Sequence, residues 1–205
     1  MPATNQNNNT ALRVQVDSRM SPALSSPLEF VTEIPRKEVH LLREFIGQGS
    51  YGTVVKGSWR GRYVAVKIYK TDEERESFAV EVKQLSRVNH PNIVKLYGAS
   101  TQAELTYLVM EYAEGGSLNH LLHDAQHIEY DLRHAISWAM QMALGVAYLH
   151  DIRIMHRDLK PANLLLFASG TVVKICDFGT ACVLRTQMTN NTGSASYMAP
   201  EGEYL

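Results

Sequence analysis

His156-Arg157-Asp158-Leu159-Lys160-Pro161-Ala162-Asn163 places a carboxylate, a lysine two residues on and an amide five residues on. A carboxylate in that setting can accept the proton of an attacking hydroxyl. The ammonium can neutralise charge on a moving phosphoryl group, and the amide oxygen can ligate a metal. Phosphoryl transfer asks a protein for positioning, charge neutralisation and metal ions more than for covalent chemistry. Asp158, Lys160 and Asn163 are therefore a candidate set for that reaction, and a chance loop carrying all three is improbable. Asp177-Phe178-Gly179 begins 14 residues after Asn163, and Asp177 supplies a hard oxygen ligand of the kind magnesium takes.

A second group lies upstream. Gly47-Gln48-Gly49-Ser50-Tyr51-Gly52-Thr53-Val54 spaces glycines so that backbone N–H groups can approach phosphate oxygens without interference from a Cβ. Alone, the pattern also suits a dinucleotide fold or a bare hairpin turn. A strand follows it here, not a helix, which favours a hairpin that covers phosphates. Val64-Ala65-Val66-Lys67 then alternates, with Ala65 and Lys67 on one face. A small residue beside a cation suits a flat base with phosphates beyond it, although a half-exposed strand with a surface lysine would read the same. Glu81 tips the balance: it lies three residues after Phe78 and four before Leu85, on the apolar side of a helical stretch. A carboxylate there is costly unless paired, and Lys67 is its natural partner.

These residues need a scaffold. Thr53–Trp59, Arg62–Tyr69, 93–97 and 105–111 read as strands, with Arg60-Gly61 as a tight hairpin. One helix interrupts them at about 71–88, where Thr71 and Glu74 fit a capping box and Phe78, Val82 and Leu85 form the apolar stripe. After Glu114-Gly115-Gly116-Ser117 the texture turns helical, with a short helix over Leu118–His123 and a long one over 131–150. The long helix is apolar on nearly every side, so it needs neighbours all round. The arms 164–167 and 171–175 form a strand-like pair ahead of Asp177. Beyond His150 no further stretch of ten residues has helical periodicity.

Composition excludes other classes. The 205 residues are 45% hydrophobic and 20% charged, and 20 basic against 21 acidic residues leave a net charge of −1. Bulk electrostatics do not point to nucleic acid or to an anionic membrane surface. No apolar run approaches the roughly 18 residues of a spanning helix. Two cysteines, Cys176 and Cys182, cannot build a disulfide framework, and a reducing, cytoplasmic compartment is expected. His120, His123 and His127 have no flanking Cys or carboxylate set and read as a solvated loop. Residues 1–40, with their Asn run and four of the seven prolines, read as a disordered leader, with packing expected to begin near Ile34.

Taken in order, the Gly-rich loop, Lys67, Glu81, His156-Arg157-Asp158, Asn163, Asp177-Phe178-Gly179 and Ala199-Pro200-Glu201 resemble the signature set of the eukaryotic protein kinases. Lys160 resembles the serine/threonine members. Residues 83–98, 109–118 and 174–194 are similar to the transforming-growth-factor-β-activated group of the MAP kinase kinase kinases. The resemblance covers 41–201.

It implies an α+β, protein-kinase-like two-lobe fold with a complete β-rich N-lobe, 41–113, and an incomplete helical C-lobe, 114–205. It implies ATP and Mg²⁺ as cofactors, and protein Ser/Thr substrates among the MAP kinase kinases. A role in stress-kinase (JNK) and NF-κB innate immune signalling, with adaptor proteins as partners, follows from the same resemblance. Ile46, Gly47, Gly49, Gly52, Val54, Ala65, Lys67, Met110, Glu111, Ala113 and Leu166 are implied to bind the nucleotide. Met110 would be the gatekeeper, and Glu111 and Ala113 would give backbone bonds to the base. Val54 and Leu166 would sandwich it. Asn163 and Asp177 would hold the metal, and Lys67, Glu81, Asp158 and Lys160 would be catalytic. Thr186, Thr189 and Ser194 are the implied regulatory phosphorylation sites, with Arg157 as the partner of a phosphate. In the family the larger lobe continues past Ala-Pro-Glu, whereas Glu201 lies four residues from Leu205. The alternative expectation is thus a catalytically inactive truncated kinase fragment that binds nucleotide or a partner.

Overall fold

The computed structural model describes residues 31–49, 51–101, 106–123, 129–183 and 193–198. They form an α+β fold of two lobes, one built on a β-sheet and one on helices. In the first, β1 (Val39–Gln48), β2 (Thr53–Trp59), β3 (Arg62–Tyr69), β4 (Leu96–Ser100) and β5 (Thr106–Glu111) make an antiparallel sheet in the order β1-β2-β3-β5-β4. Arg60 and Gly61 join β2 to β3 with φ of 50° and 76°. Positive φ at both central residues is what a type I′ two-residue hairpin turn requires.

Helix α1 (Asp72–Leu85) packs on this sheet. Thr71 accepts from the Glu74 amide while the Glu74 carboxylate accepts from the Thr71 amide, the expected capping box, worth about 1 kcal/mol. Its inner face buries Phe78, Glu81, Val82 and Leu85. The helix stops at Leu85, short of the expected residue 88. The expected strand over 93–97 is displaced to Leu96–Ser100, because Ile93 and Val94 are taken by the other lobe. Ile93 bridges Ile175, and Val94 N–H donates to the Ile175 carbonyl at 2.9 Å.

Packing reaches back ahead of residue 41. Ile34 N–H donates to the Ala99 carbonyl at 2.7 Å, and the Ile34 side chain is buried with Trp59, Val64 and Val109. A side chain at Gly98 would stand 2.4 Å from the Thr32 carbonyl oxygen, so glycine there lets this segment lie against the sheet edge. Residues 1–30 of the expected leader are outside the described residues.

The second lobe carries α2 (Leu118–His123) and α3 (Leu132–Asp151) with three short strand pieces and a fourth after them. These are β6 (Ile154–Met155), β7 (Leu164–Phe167), β8 (Val172–Ile175) and β9 (Cys182–Val183). Asp131 caps α3, accepting from the Arg133 and His134 amides. Trp138 is buried on its inner side and donates Nε1–H to the Gly170 carbonyl at 2.7 Å. On the opposite side Leu132, Ile136, Met140 and Leu144 recur every fourth residue and are exposed. The apolar excess seen in the sequence is therefore a stripe facing outward. β7 pairs with β8, and β6 with β9. One apolar core joins the lobes, running from Phe78 and Leu85 through Ile93 to Leu149, Ile175 and Phe178. Among the described residues no helix is long and apolar enough to cross a membrane.

Candidate active site

A cleft of about 600 Å³ separates the lobes. Its roof is the turn between β1 and β2. Gly49 N–H donates to the Gly52 carbonyl at 3.0 Å, and Gly52 takes φ of 92° with the Ile68 carbonyl oxygen 2.6 Å from where a Cβ would stand. Only glycine fits there. Ile46, Gly47, Gly49 and Val54 line the cleft, and Gly52 holds the turn without lining it. Ser50 is outside the described residues.

Behind the roof three ionisable groups meet. Lys67 on β3 donates to Glu81 Oε2 and to Asp177 Oδ1, each at 2.7 Å, and all three residues are buried. Tyr69 donates its hydroxyl to the same Glu81 oxygen at 2.7 Å. Strand alternation brings Lys67 and Tyr69 to one face, and helix spacing brings Glu81 inward. Burial alone would lower the Lys67 pKa, but the Glu81 and Asp177 charges outweigh it and raise it, so the ammonium is kept. Full burial raises the Glu81 carboxyl against the pull of Lys67. Two carboxylates around one cation, with a phenol beside them, are what such burial demands.

The loop 156–163 carries the second group. Asp158 Oδ1 accepts from the Ser194 hydroxyl at 2.7 Å and from the Ser194 amide at 2.9 Å. Asp158 Oδ2 lies 2.8 Å from Lys160 Nζ and accepts from Asn163 Nδ2 at 3.0 Å. Partial burial pushes the Asp158 carboxyl up; the bonds from Lys160 and Ser194 outweigh it and hold the carboxyl below its ordinary range. Asp158 is thus a charged acceptor with two oxygens aimed by fixed donors. Asn163 also gives Nδ2–H to the Asp158 carbonyl at 2.8 Å, which leaves its amide oxygen as the atom able to ligate a metal.

His156 sets the loop's shape. Its Nε2 pairs with the Cys176 carbonyl at 2.8 Å, and Nδ1 accepts from the Asp158 amide at 3.3 Å. The ring meets Phe178 edge-on, centroids 5.0 Å apart. Burial holds its pKa below the ordinary value, so the imidazole is neutral. Arg157 and Asp177 both take left-handed φ, 67° and 62°. Such backbone costs about 1–2 kcal/mol per residue and is offset here by bonds across the site: Arg157 Nε donates to the Thr180 carbonyl at 2.7 Å, and Thr180 donates its hydroxyl to the His156 carbonyl at 3.0 Å.

The back of the cleft is the end of β5 together with the connector that follows it. Met110, Glu111, Tyr112 and Ala113 line it. Glu111 sends its carboxylate away to Lys174 on β8, bidentate at 2.7 and 2.8 Å, and takes the Lys95 amide at 2.7 Å. The connector is thus pinned to both lobes.

The structure brings Ile46, Gly47, Gly49, Val54, Ala65, Lys67, Glu81, Met110, Glu111, Ala113, Lys160, Asn163 and Asp177 to one cleft, with Asp158 bonded beside it. Leu166 is a correction. Leu165 lines the cleft, while Leu166 is fully buried in the core against Gly115, whose Cβ would lie 2.8 Å from its own. In the run Leu164-Leu165-Leu166 all three residues are apolar, so alternation does not reveal which one faces the cleft. His120 and His123 sit on α2 and not in a loop, and His120 lines the cleft. Cys176 lines it too, and burial pushes its thiol pKa up, so the sulfur stays protonated. Tyr112 and Ala162 are further lining residues that sequence reading missed. Thr186, Thr189, Ala199-Pro200-Glu201 and His127 lie outside the described residues.

Among the described residues no three His, Cys, Asp or Glu side chains gather as a metal set. Asp177 and Asn163 in one cleft instead fit a cation that keeps waters and takes its remaining ligands from phosphates, as magnesium does.

The protein kinase domain family matches residues 41–202. The chain is 55% identical over 188 residues to mitogen-activated protein kinase kinase kinase 7 of Mus musculus, covering 90% of this chain and 32% of that protein. It is 55% identical over 186 residues to the Homo sapiens protein of that name, covering 89% and 30%. To the one of Drosophila melanogaster it is 54% identical over 163 residues, covering 78% and 24%. The chain spans about a third or less of the length of these relatives.

Proposed function

The chain belongs to the protein kinase family, and from that premise we propose an ATP-dependent serine/threonine protein kinase that passes the γ-phosphoryl group to a protein hydroxyl. The carrying observation is Asp158, a charged carboxylate aimed by Lys160, Asn163 and Ser194 beside a cleft that Lys160 and Asn163 line and whose roof is a glycine turn.

Each group has one task in this reading. Asp158 accepts the proton of the Ser or Thr hydroxyl as its oxygen bonds to the γ-phosphorus. The bond from that phosphorus to the bridging oxygen of the diphosphate breaks, and the electron pair leaves with ADP. Lys160 and Lys67 stabilise negative charge at the two ends of that displacement. Glu81 keeps Lys67 in place. Asp177 and the Asn163 amide oxygen would hold Mg²⁺, which neutralises phosphate charge when bound. For that, Lys67 would exchange its bond to Asp177 for phosphate oxygens. Met110, Glu111 and Ala113 border the base, with Val54 above it and Leu165 below.

We take 41–113 and the residues from 114 on as the two lobes, and Thr186, Thr189 and Ser194 as regulatory phosphorylation sites. In the described arrangement the Ser194 hydroxyl is held by Asp158 and Lys160, so its modification requires it to swing out. Substrates among the MAP kinase kinases fit the name of the relatives, and a signalling role through JNK and NF-κB with adaptor proteins belongs to the same proposal. Free Cys176 and Cys182 suit a cytoplasmic setting. The complete nucleotide-facing set favours catalysis over an inactive binding module. The test is transfer of label from γ-labelled ATP to Ser or Thr of a protein acceptor. Transfer that disappears in Asp158→Ala supports the reading; transfer that persists in the variant overturns it.

A further inference from the structure

One cluster outside the reacting centre joins three strands of the sheet to the connector at the back of the cleft. Lys56 on β2 places its ammonium 4.7 Å from the ring centroid of Tyr63 and 4.7 Å from that of Tyr112. The two rings meet edge-on with centroids 6.3 Å apart. Glu44 on β1 completes the cluster, its carboxylate oxygens 3.0 and 3.2 Å from the same nitrogen. Tyr63 belongs to β3 and Tyr112 to the connector, so one cation ties β1, β2, β3 and the connector together.

A lone surface ion pair between Lys56 and Glu44 would carry little meaning. Two observations lift the cluster above that. The Lys56 side chain is only 17% exposed, although the Tyr63 that covers it is 62% exposed. Tyr63 thus spends a large apolar ring in water to shield a cation. Secondly, the cluster continues the cleft's own wall. Val54 lies two residues before Lys56 on β2 and Ile46 two after Glu44 on β1, and Val54, Ile46 and Tyr112 all line the cleft.

We infer that Lys56 is a positioning residue for the nucleotide. By bridging Glu44, Tyr63 and Tyr112 it fixes the spacing between the roof and the connector, and so sets the width of the slot that receives the flat base. This rests on the reading of the cleft as a nucleotide site. The cluster sits at the base end and leaves Lys67, Asp177 and Asn163 untouched, so its effect is confined to ligands that carry a base.

Calorimetric titration of the protein with AMP-PNP and with inorganic tripolyphosphate, each with magnesium, tests it on Lys56→Met, Tyr63→Ser and Lys56→Arg. AMP-PNP binding should weaken about five-fold in Lys56→Met and about two-fold in Tyr63→Ser, the scale of partly exposed cation–π contacts. Lys56→Arg, which keeps both the charge and the ring contacts, should bind within about two-fold of wild type. Tripolyphosphate binding should be equal in all four proteins. Wild-type binding of AMP-PNP with no change in Lys56→Met, or a parallel loss for both ligands, overturns the positioning role and leaves the nucleotide site standing. Absence of AMP-PNP binding by the wild type overturns both.

Discussion

Lys67 Nζ and Glu81 Oε2 meet at 2.7 Å with both side chains almost wholly out of water. The pair fixes a strand of the sheet to helix α1 packed on it, and it points the ammonium into the cleft that Asp177 enters from the other lobe.

Lys67→Met leaves Glu81 and Asp177 buried without their shared cation. Removing one partner of a buried pair costs about 3–5 kcal/mol; the Tyr69 hydroxyl still bonds Glu81, so a loss near the lower end is expected. Chemical denaturation of wild type and variant measures it. The rise in melting temperature on adding Mg²⁺ and AMP-PNP should vanish in the variant as well, and an unchanged rise would contradict the phosphate site.

The glycines of the roof turn differ in kind. At Gly52 a Cβ would stand 2.6 Å from the Ile68 carbonyl oxygen at φ of 92°, whereas nothing lies within 4 Å of a Cβ at Gly47. Gly52→Ala should cost about 1–2 kcal/mol and weaken AMP-PNP binding by displacing the turn. Gly47→Ala should leave stability within about 0.5 kcal/mol of wild type. Equal losses in the two variants would show that backbone conformation is not what selects glycine here.

The first of these relationships could be read from the chain itself, because it needs only two periods. Lys67 shares a face with Ala65 by strand alternation, and Glu81 falls between Phe78 and Leu85 on a helix. The capping box at Thr71 is likewise local. Other features depend on pairings that no local pattern carries. Val39–Gln48 has no regular alternation of burial, so its strand emerges only from register with β2. The shift from 93–97 to Leu96–Ser100 comes from Ile93 and Val94 bonding across to Ile175. Leu165 and Leu166 are indistinguishable by type, and β8 and the Gly115 backbone decide between them. The Lys56 cluster needs the β2–β3 register and the position of the connector together.

Burial lowers the His156 pKa, and the sign of its linkage follows. Below the unfolded value of about 6.5 the unfolded chain takes up a proton that the folded imidazole resists. His156 therefore makes stability fall as pH drops from 7 through 6.5. His156→Gln has no proton to take up there, and its stability should decline less between pH 7.0 and 5.5. The difference between the two proteins isolates the imidazole, since all other groups are shared. Parallel pH profiles by urea denaturation would contradict the neutral, buried assignment.

Glu111 and Lys174 hold the connector to β8 through a bidentate, largely buried pair. Lys174→Met leaves Glu111 with the Lys95 amide alone. A loss of about 1–2 kcal/mol is expected, measured by thermal denaturation. The double variant Lys174→Met with Glu111→Gln should recover part of it, because the uncompensated charge is gone. No recovery would place the loss in the contact of the Lys174 ammonium with the Phe167 ring, 4.7 Å from its centroid.

The proposed magnesium-nucleotide site lies between Lys67, Asn163 and Asp177. Calorimetric titration of the protein with AMP-PNP, with and without Mg²⁺, tests it most directly. One saturable site is predicted, tightened by magnesium in wild type, with that tightening lost in Asp177→Asn and all binding weakened at least about ten-fold in Lys67→Met. Binding that ignores magnesium, or that survives unchanged in both variants, would contradict the account.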